Sequence, residues 1–213
     1  MDLTHVEAVL LDMDGTLVDS DAAVERGWRV WAAEYGVDAG TVLEIMHGSP
    51  SILTVRRLLP GAEETAVAAA AARQLALQYD DLSDVVPAPG ARELVAALGD
   101  LALPWAVVTS ADARLAKARL GAAGIDPPVL LTIEDVTAGK PDPEGYVLAA
   151  ARLGVHPGRC LVVEDSTPGT AAGWAAGATV ASLRGLPGDV PLTGLAELAG
   201  LLTRSLRPRP ATG

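Results

Sequence analysis

The chain has no phenylalanine, one cysteine and three histidines among its 213 residues, and aromatic residues make up 3% of it. A single thiol, Cys160, excludes an internal disulfide. With no second cysteine to pair with, it reads as a small core residue rather than a nucleophile or metal ligand. Basic residues are scarce too: 16 Lys and Arg stand against 27 Asp and Glu, a formal net charge of −11, with a sequence pI near 4.6. A surface that tracks nucleic-acid phosphates needs the opposite balance, so no nucleic-acid partner is expected. No run approaches the roughly 18 apolar residues of a membrane span, and the N-terminus lacks the basic and apolar regions of a secretory signal. The expected location is therefore the cytoplasm, with no membrane partner. The missing phenylalanine, beside abundant Ala, Gly and Pro, reads as composition bias and carries no mechanism. Apolar residues nonetheless make up 50% of the chain, enough for one large domain or a core with a smaller insert.

Those apolar residues are clustered. Four runs rich in β-branched residues end in polar or acidic ones, at 8–11, 105–108, 129–131 and 161–163, and a shorter run follows at 178–181. Helix-compatible stretches at 112–123, 142–153 and 168–176 separate the later runs. This alternation predicts an α/β fold, a Rossmann-like parallel sheet with helices on both faces. Near-continuous apolar strands suit such a sheet because both of its faces are buried, and ligands bind at the carboxyl ends of its strands. From 20 to 84 the strand pattern is lost and helical segments are predicted at 22–35, 39–46, 51–58 and 62–79. In the last of these, Val67, Ala71, Leu75 and Tyr79 recur every fourth residue as a packing stripe. The expected organisation is a core of 1–19 and 85–213 with an all-helical insert at 20–84. Pro87-Ala88-Pro89-Gly90 marks the return to the core, a helix at 91–98 leads to the second strand, and a frayed tail is expected over 204–213.

The first strand runs into Asp12-Met13-Asp14-Gly15-Thr16. Residues two apart on a strand share a face, so Asp12 and Asp14 start close together and repel. At about 4 Å that repulsion is on the order of 4 kcal/mol at an effective dielectric of 20, and a cation or a shared proton would relieve it. A solvated turn or a calcium loop would use the same letters. An EF-hand loop, however, needs further oxygen ligands and a Glu at its twelfth position, and an apolar strand in front argues against a surface turn.

Three further strand ends complete an ordered set: Val107-Val108-Thr109-Ser110, Gly139-Lys140-Pro141-Asp142-Pro143 and Val162-Val163-Glu164-Asp165-Ser166. With the Asp12 to Thr16 segment, this set resembles the haloacid dehalogenase superfamily of phosphatases over nearly the whole chain. The resemblance implies that Asp12 attacks phosphorus to form an aspartyl-phosphate and that Asp14 protonates the leaving alcohol and then activates water. It implies Mg²⁺ held by Asp12, Asp165 and the backbone carbonyl of Asp14, with Glu164 through water or directly, an all-oxygen set suited to that ion rather than zinc. Lys140 would supply fixed positive charge to Asp12 and to the transferring phosphoryl group, binding phosphate together with Thr109 and Ser110, although Thr109 or Ser110 could instead cap the helix that follows. The helical insert would be a cap that excludes water.

Within that cap His47-Gly48-Ser49-Pro50, followed by Arg56 and Arg57, is similar to a substrate-contacting segment of phosphatases acting on glycerol phosphate and 2-deoxyglucose 6-phosphate. His47 and Gly48 are its candidate substrate residues, and a structural role for His47 stays open. In the related β-phosphoglucomutases a His stands at the Val24 position and a phosphate-clamping Arg within the segment at 48–50, and neither is present here. The expected activity is Mg²⁺-dependent hydrolysis of a small phosphorylated sugar or polyol by a monomer or weak dimer. The alternatives are a hexose-phosphate mutase and a non-catalytic phosphosugar-binding protein.

Overall fold

A computed structural model describes residues 3–46, 50–79 and 81–206. The chain begins with strand β1 (Ala8–Leu11) and the short strand β2 (Val18–Asp19). Helices α1 (Asp21–Tyr35), α2 (Ala39–Ile45), α3 (Ser51–Leu58) and α4 (Glu64–Leu77) follow, and the chain returns through β3 (Val86–Pro87). An alternating series completes it: α5 (Ala91–Asp100), β4 (Trp105–Val108), α6 (Ala113–Ala123), β5 (Leu130–Leu131), α7 (Glu144–Leu153), β6 (Cys160–Glu164), α8 (Thr167–Ala175), β7 (Thr179–Ser182), β8 (Val190–Pro191) and α9 (Leu195–Leu206).

Among the described residues, six strands form one sheet in the order β5-β4-β1-β6-β7-β8, parallel at every pairing. This is the expected Rossmann-like α/β fold. The two-residue period of a strand divides its side chains between two cores. Val9 and Leu11 of β1, Val107 of β4 and Leu161 and Val163 of β6 pack on one face with α5 and α9. Ala8, Leu10, Val108, Cys160 and Val162 pack on the other with Tyr146 and Ala149 of α7. Cys160 is a buried core residue whose thiol is pushed up to about 11, chiefly by burial.

The first strand lies at the middle of the sheet, with Leu11 level with Val107 on one side and Val163 on the other. The residues that follow these three therefore emerge together at one rim. Helices α1–α4 surround a third apolar cluster that includes Trp28, Trp31, Val42, Val55 and Val67. The Trp31 indole donates to the Ala70 carbonyl at 2.9 Å. The chain leaves for these helices and returns from them side by side, through the antiparallel pair β2 and β3. No helix among the described residues is long and apolar enough to cross a membrane.

The structure departs from the sequence expectations at several places. The pair β2 and β3, the edge strand β8 and helix α9 were not anticipated. Arg204 to Leu206, expected to fray, belong to α9, where Leu195, Leu198, Ala199 and Leu202 are buried at helical spacing; residues 207–213 lie outside the described set. The helix expected from 62 starts at Glu64, and that expected from 142 starts at Glu144, whose amide donates to Asp142 at 2.9 Å.

Candidate active site

The rim where β1, β4 and β6 end opens on a cleft of about 320 Å³ between the sheet and the helices α1–α4. Asp12 is the first residue past β1, its amide donating to the Val163 carbonyl at 3.0 Å. The loop after it turns tightly: the amides of Leu17 and Val18 both donate to the Met13 carbonyl. Gly15 is required in that turn twice over. Its φ is +82°, and a Cβ there would collide with the Asp165 carboxylate and the Arg184 guanidinium.

Lys140 is buried at the centre of the site. Its three ammonium protons have three acceptors: Asp12 Oδ1 at 2.5 Å, Glu164 Oε1 at 2.6 Å and the Val108 carbonyl at 3.0 Å. Burial works against the ammonium, but the charges of Asp12 and Glu164 outweigh it and hold Lys140 well above the usual lysine value. Lys140 therefore stays charged.

The structure separates the roles of the two neighbouring acids at the end of β6. Glu164 is fully buried and receives five hydrogen bonds. Lys140 Nζ and Tyr146 Oη donate to Oε1, while the Asp165 amide, the Ser166 amide and Ser166 Oγ donate to Oε2. A carboxylate has about four lone-pair sites, so Glu164 is saturated by the protein. Its carboxylate lies on Gly169, where any Cβ would strike it. Asp165 instead has the Arg184 Nε at 3.0 Å, and its carboxyl is pushed up to about 7, first by burial and then by Glu164. Asp12 is also held well above the usual carboxylate range by burial, against the pull of Lys140.

Asp12, Glu164 and Asp165 each place a carboxylate oxygen within 4.8 Å of the others. This is an oxygen-only donor set, of the kind that suits a hard cation such as Mg²⁺. Glu164 is already saturated, so Asp12 and Asp165, both raised chiefly by burial, are the members left to hold an ion, and their free oxygens fit a divalent cation. The Asp14 carboxylate stands apart from that cluster. Ser20 Oγ donates to its Oδ1 at 2.6 Å, and Arg119 Nη1 lies 2.8 Å from its Oδ2.

Thr109 and Ser110 border the cleft, with Thr109 Oγ1 accepting from the Ala111 amide at 3.1 Å. The capping of α6 falls to Asp112, which accepts from the Leu115 amide at 2.8 Å. Val24 and Trp28 of α1, with Met46, Ile52 and Leu75, give the cleft an apolar wall opposite the acids. Glu25 is paired with Arg29 and Arg56 with Glu64 on the exposed side of the helices. His47 and Gly48 lie outside the described residues. Arg119, Gln78 and Arg184 were missed in the sequence. A buried arginine inside a helix carries no local signal, because its burial depends on partners distant along the chain.

A doubly wound sheet with a buried lysine between acids at its central rim defines a class of hydrolase. The family model of haloacid dehalogenase-like hydrolases matches residues 6–177, and the chain belongs to that family and is an enzyme. Among curated relatives it is 40% identical over 183 residues to hexitol phosphatase A of Escherichia coli, covering 85% of this chain and 84% of that one. It is 34% identical over 188 residues to 2-deoxyglucose-6-phosphate phosphatase 1 of Saccharomyces cerevisiae, covering 79% and 76%. Among solved structures, CbbY from Rhodobacter sphaeroides in complex with phosphate superposes with a TM-score of 0.75 at 25% identity, over 91% of this chain and 96% of that one.

Proposed function

We propose that the chain is a metal-dependent phosphatase that removes the phosphoryl group from a small phosphorylated sugar or sugar alcohol. The observation that carries this reading is the grip of Lys140 on one oxygen of Asp12. With Oδ1 fixed at 2.5 Å, and Oδ2 receiving no hydrogen bond among the described residues, Asp12 presents an oriented carboxylate at the floor of the cleft. The names of the curated relatives supply the substrate class.

In this reading Oδ2 of Asp12 attacks phosphorus, the bond from phosphorus to the sugar oxygen breaks, and Asp14 delivers a proton to the departing alkoxide. Asp14 then takes a proton from the water that opens the aspartyl-phosphate, so the catalyst ends as it began. Lys140 draws Asp12 toward its ionised form against burial and aims it, and Glu164 keeps Lys140 in place. Thr109 and Ser110, with the backbone N–H groups leading into α6, receive the phosphoryl oxygens. Mg²⁺, held by Asp12, Asp165 and the carbonyl of Asp14, supplies charge neutralisation between two anions when bound. Residues 20–84 act as a cap over the cleft and keep bulk water from the intermediate. Val24 gives that cap an apolar side chain in the cleft, which favours hydrolysis over a mutase cycle that must hold a bisphosphate.

The test is inorganic phosphate release from a panel of hexitol, hexose and glycerol phosphates, with Mg²⁺ or with chelator. Release that depends on Mg²⁺ and is lost in Asp12→Asn is expected. Release that is indifferent to chelator, or that survives Asp12→Asn, would refute the assignment.

A further inference from the structure

Arg119 of α6 is 3% exposed and stands between three parts of the chain. Its Nη1 is 2.8 Å from Asp14 Oδ2, and its Nη2 donates to Gln78 Oε1 at 2.5 Å. Its Nε is buried without a hydrogen-bond partner. Gln78 is the C-cap residue of α4, the last helix before the chain returns to the sheet. The other oxygen of Asp14 is held by Ser20, the residue that precedes α1. The two ends of the helical segment therefore converge on one carboxylate, the entry directly and the exit through Arg119.

Stability does not account for this arginine. Burying a guanidinium is costly, and a hydrophobic residue of similar volume in its place is often neutral or stabilising. An unpaired Nε adds to the cost. The planar fork, however, spans Asp14 and Gln78 with two separate nitrogens fixed in one plane, which a methionine cannot do at all and a lysine could attempt only from a single nitrogen.

We infer that Arg119 is a positioning residue that aims the Asp14 carboxylate and, through Gln78, ties its orientation to the position of α1–α4. The inference deepens the phosphatase reading and rests on its assignment of Asp14 as the proton donor. When the helices sit as they do here, Ser20 and Arg119 clamp the two oxygens of Asp14 from opposite sides. When the helices move, Gln78 and Ser20 move with them, and the clamp is released or re-aimed. Proton delivery to the leaving oxygen is thereby confined to one arrangement of the helices over the cleft, which limits premature attack by water on the aspartyl-phosphate.

The experiment is a pair of mutant cycles read as kcat and KM for Mg²⁺-dependent phosphate release, using whichever sugar phosphate the wild-type chain turns over. General acid–base catalysis contributes about 10²–10⁴-fold, and misaiming the acid forfeits part of it, so Arg119→Met is expected to lower kcat by about 10- to 100-fold with KM changed less than about threefold. In an Asp14→Asn background the same substitution should change kcat by less than about twofold, because the group it positions is gone. Gln78→Leu should cost about three- to tenfold in kcat alone and nothing further when Arg119→Met is present.

Arg119→Lys keeps the charge but reaches only one partner, and should recover the ion pair with Asp14 while behaving like Gln78→Leu. It also serves where Arg119→Met does not fold. A raised KM with kcat intact would make Arg119 a substrate contact and overturn the inference, as would full additivity with Asp14→Asn. Failure of the phosphatase reading has its own signature: the wild-type chain releases no phosphate from the panel whatever stands at 119, and the inference falls with it.

Discussion

If Asp165 holds the metal ion as proposed, it links metal binding to pH, and the size of the link follows from its surroundings. Burial, and then Glu164, push its carboxyl up to about 7, whereas an aspartate in the unfolded chain titrates near 3.9. Between about pH 4 and pH 7 the folded protein therefore holds a proton that the unfolded chain has released. The stability of the metal-free protein falls as pH rises through that window and levels off above it. Asp12, raised in the same direction by burial, adds to the effect. A cation that binds the ionised carboxylates must displace the proton. At pH 5.5, about 1.5 units below the Asp165 value, the apparent affinity for Mg²⁺ should drop roughly 30-fold relative to pH 8, or about 2 kcal/mol at 1.36 kcal/mol per unit. One kcal/mol moves the Tm of a domain this size by about 2–4 °C. The rise in Tm on adding excess Mg²⁺ to chelator-treated protein should thus be about 4–8 °C smaller at pH 5.5 than at pH 8. Thermal scans across pH, with and without Mg²⁺, measure this directly. A Mg²⁺-induced rise equal at both pH values would refute the placement of the ion against Asp165, and so would Asp165→Asn leaving the pH dependence unchanged.

Lys140→Met should abolish turnover and destabilise the fold by about 3–5 kcal/mol near neutral pH, because it strands two buried carboxylates; urea titration reads the loss, and a cost under 1 kcal/mol would show that Asp12 and Glu164 do not depend on it. Gly169→Ala forces a methyl group into the Glu164 carboxylate and should lower both Tm and kcat, as it displaces the anchor of Lys140; unchanged kcat would remove Glu164 from that role. Trp31 is fully buried, edge-on to Trp28 at 5.3 Å and stacked on Tyr35 at 4.7 Å, so Trp31→Ala should cost about 3–5 kcal/mol in urea unfolding. A cost below about 1 kcal/mol would mean that the helices α1–α4 repack around the void.

The sheet was readable in the sequence because β1, β4 and β6 are apolar on both faces and give way abruptly to polar or acidic residues. The order of those endings identified the family: Asp12 and Asp165 follow buried runs directly, whereas Lys140 follows a partly exposed loop and was legible from its Gly-Lys-Pro setting. What escaped reading depends on contacts that a local pattern does not encode. Helix α9 had an apolar repeat at Leu195, Leu198, Ala199 and Leu202, but it lay beyond the last strand expected, next to a proline-rich tail that suggested fraying. The strand β8 has two residues, too few for any periodicity. Glu164 and Asp165 are neighbours of like charge, and only the pleat decides that Glu164 turns into the core under Lys140 while Asp165 faces the cleft. Arg119, in a helix of alanines and lysine, reads as a solvated side chain until Asp14 and Gln78 are brought to it.

The balance of charge at the rim explains why one lysine cannot serve both the fold and an anionic substrate. Asp12, Glu164 and Asp165 bring three negative charges; Lys140 is shared between the first two, and Arg184 divides itself between Asp165 and Asp21. Every proton on the Lys140 ammonium already has an acceptor inside the protein, so its charge neutralises the site more than it attracts a phosphate. In the proposed reading a phosphate dianion approaching Asp12 meets an acidic cluster only partly offset by Lys140 and Arg184, and the main attraction comes from a cation held between Asp12 and Asp165. Substrate binding should accordingly depend on the divalent ion itself and not only the chemical step. Isothermal titration of inorganic phosphate into the protein should show binding with Mg²⁺ and none with chelator; equal binding in both would place the anion-attracting charge elsewhere in the cleft.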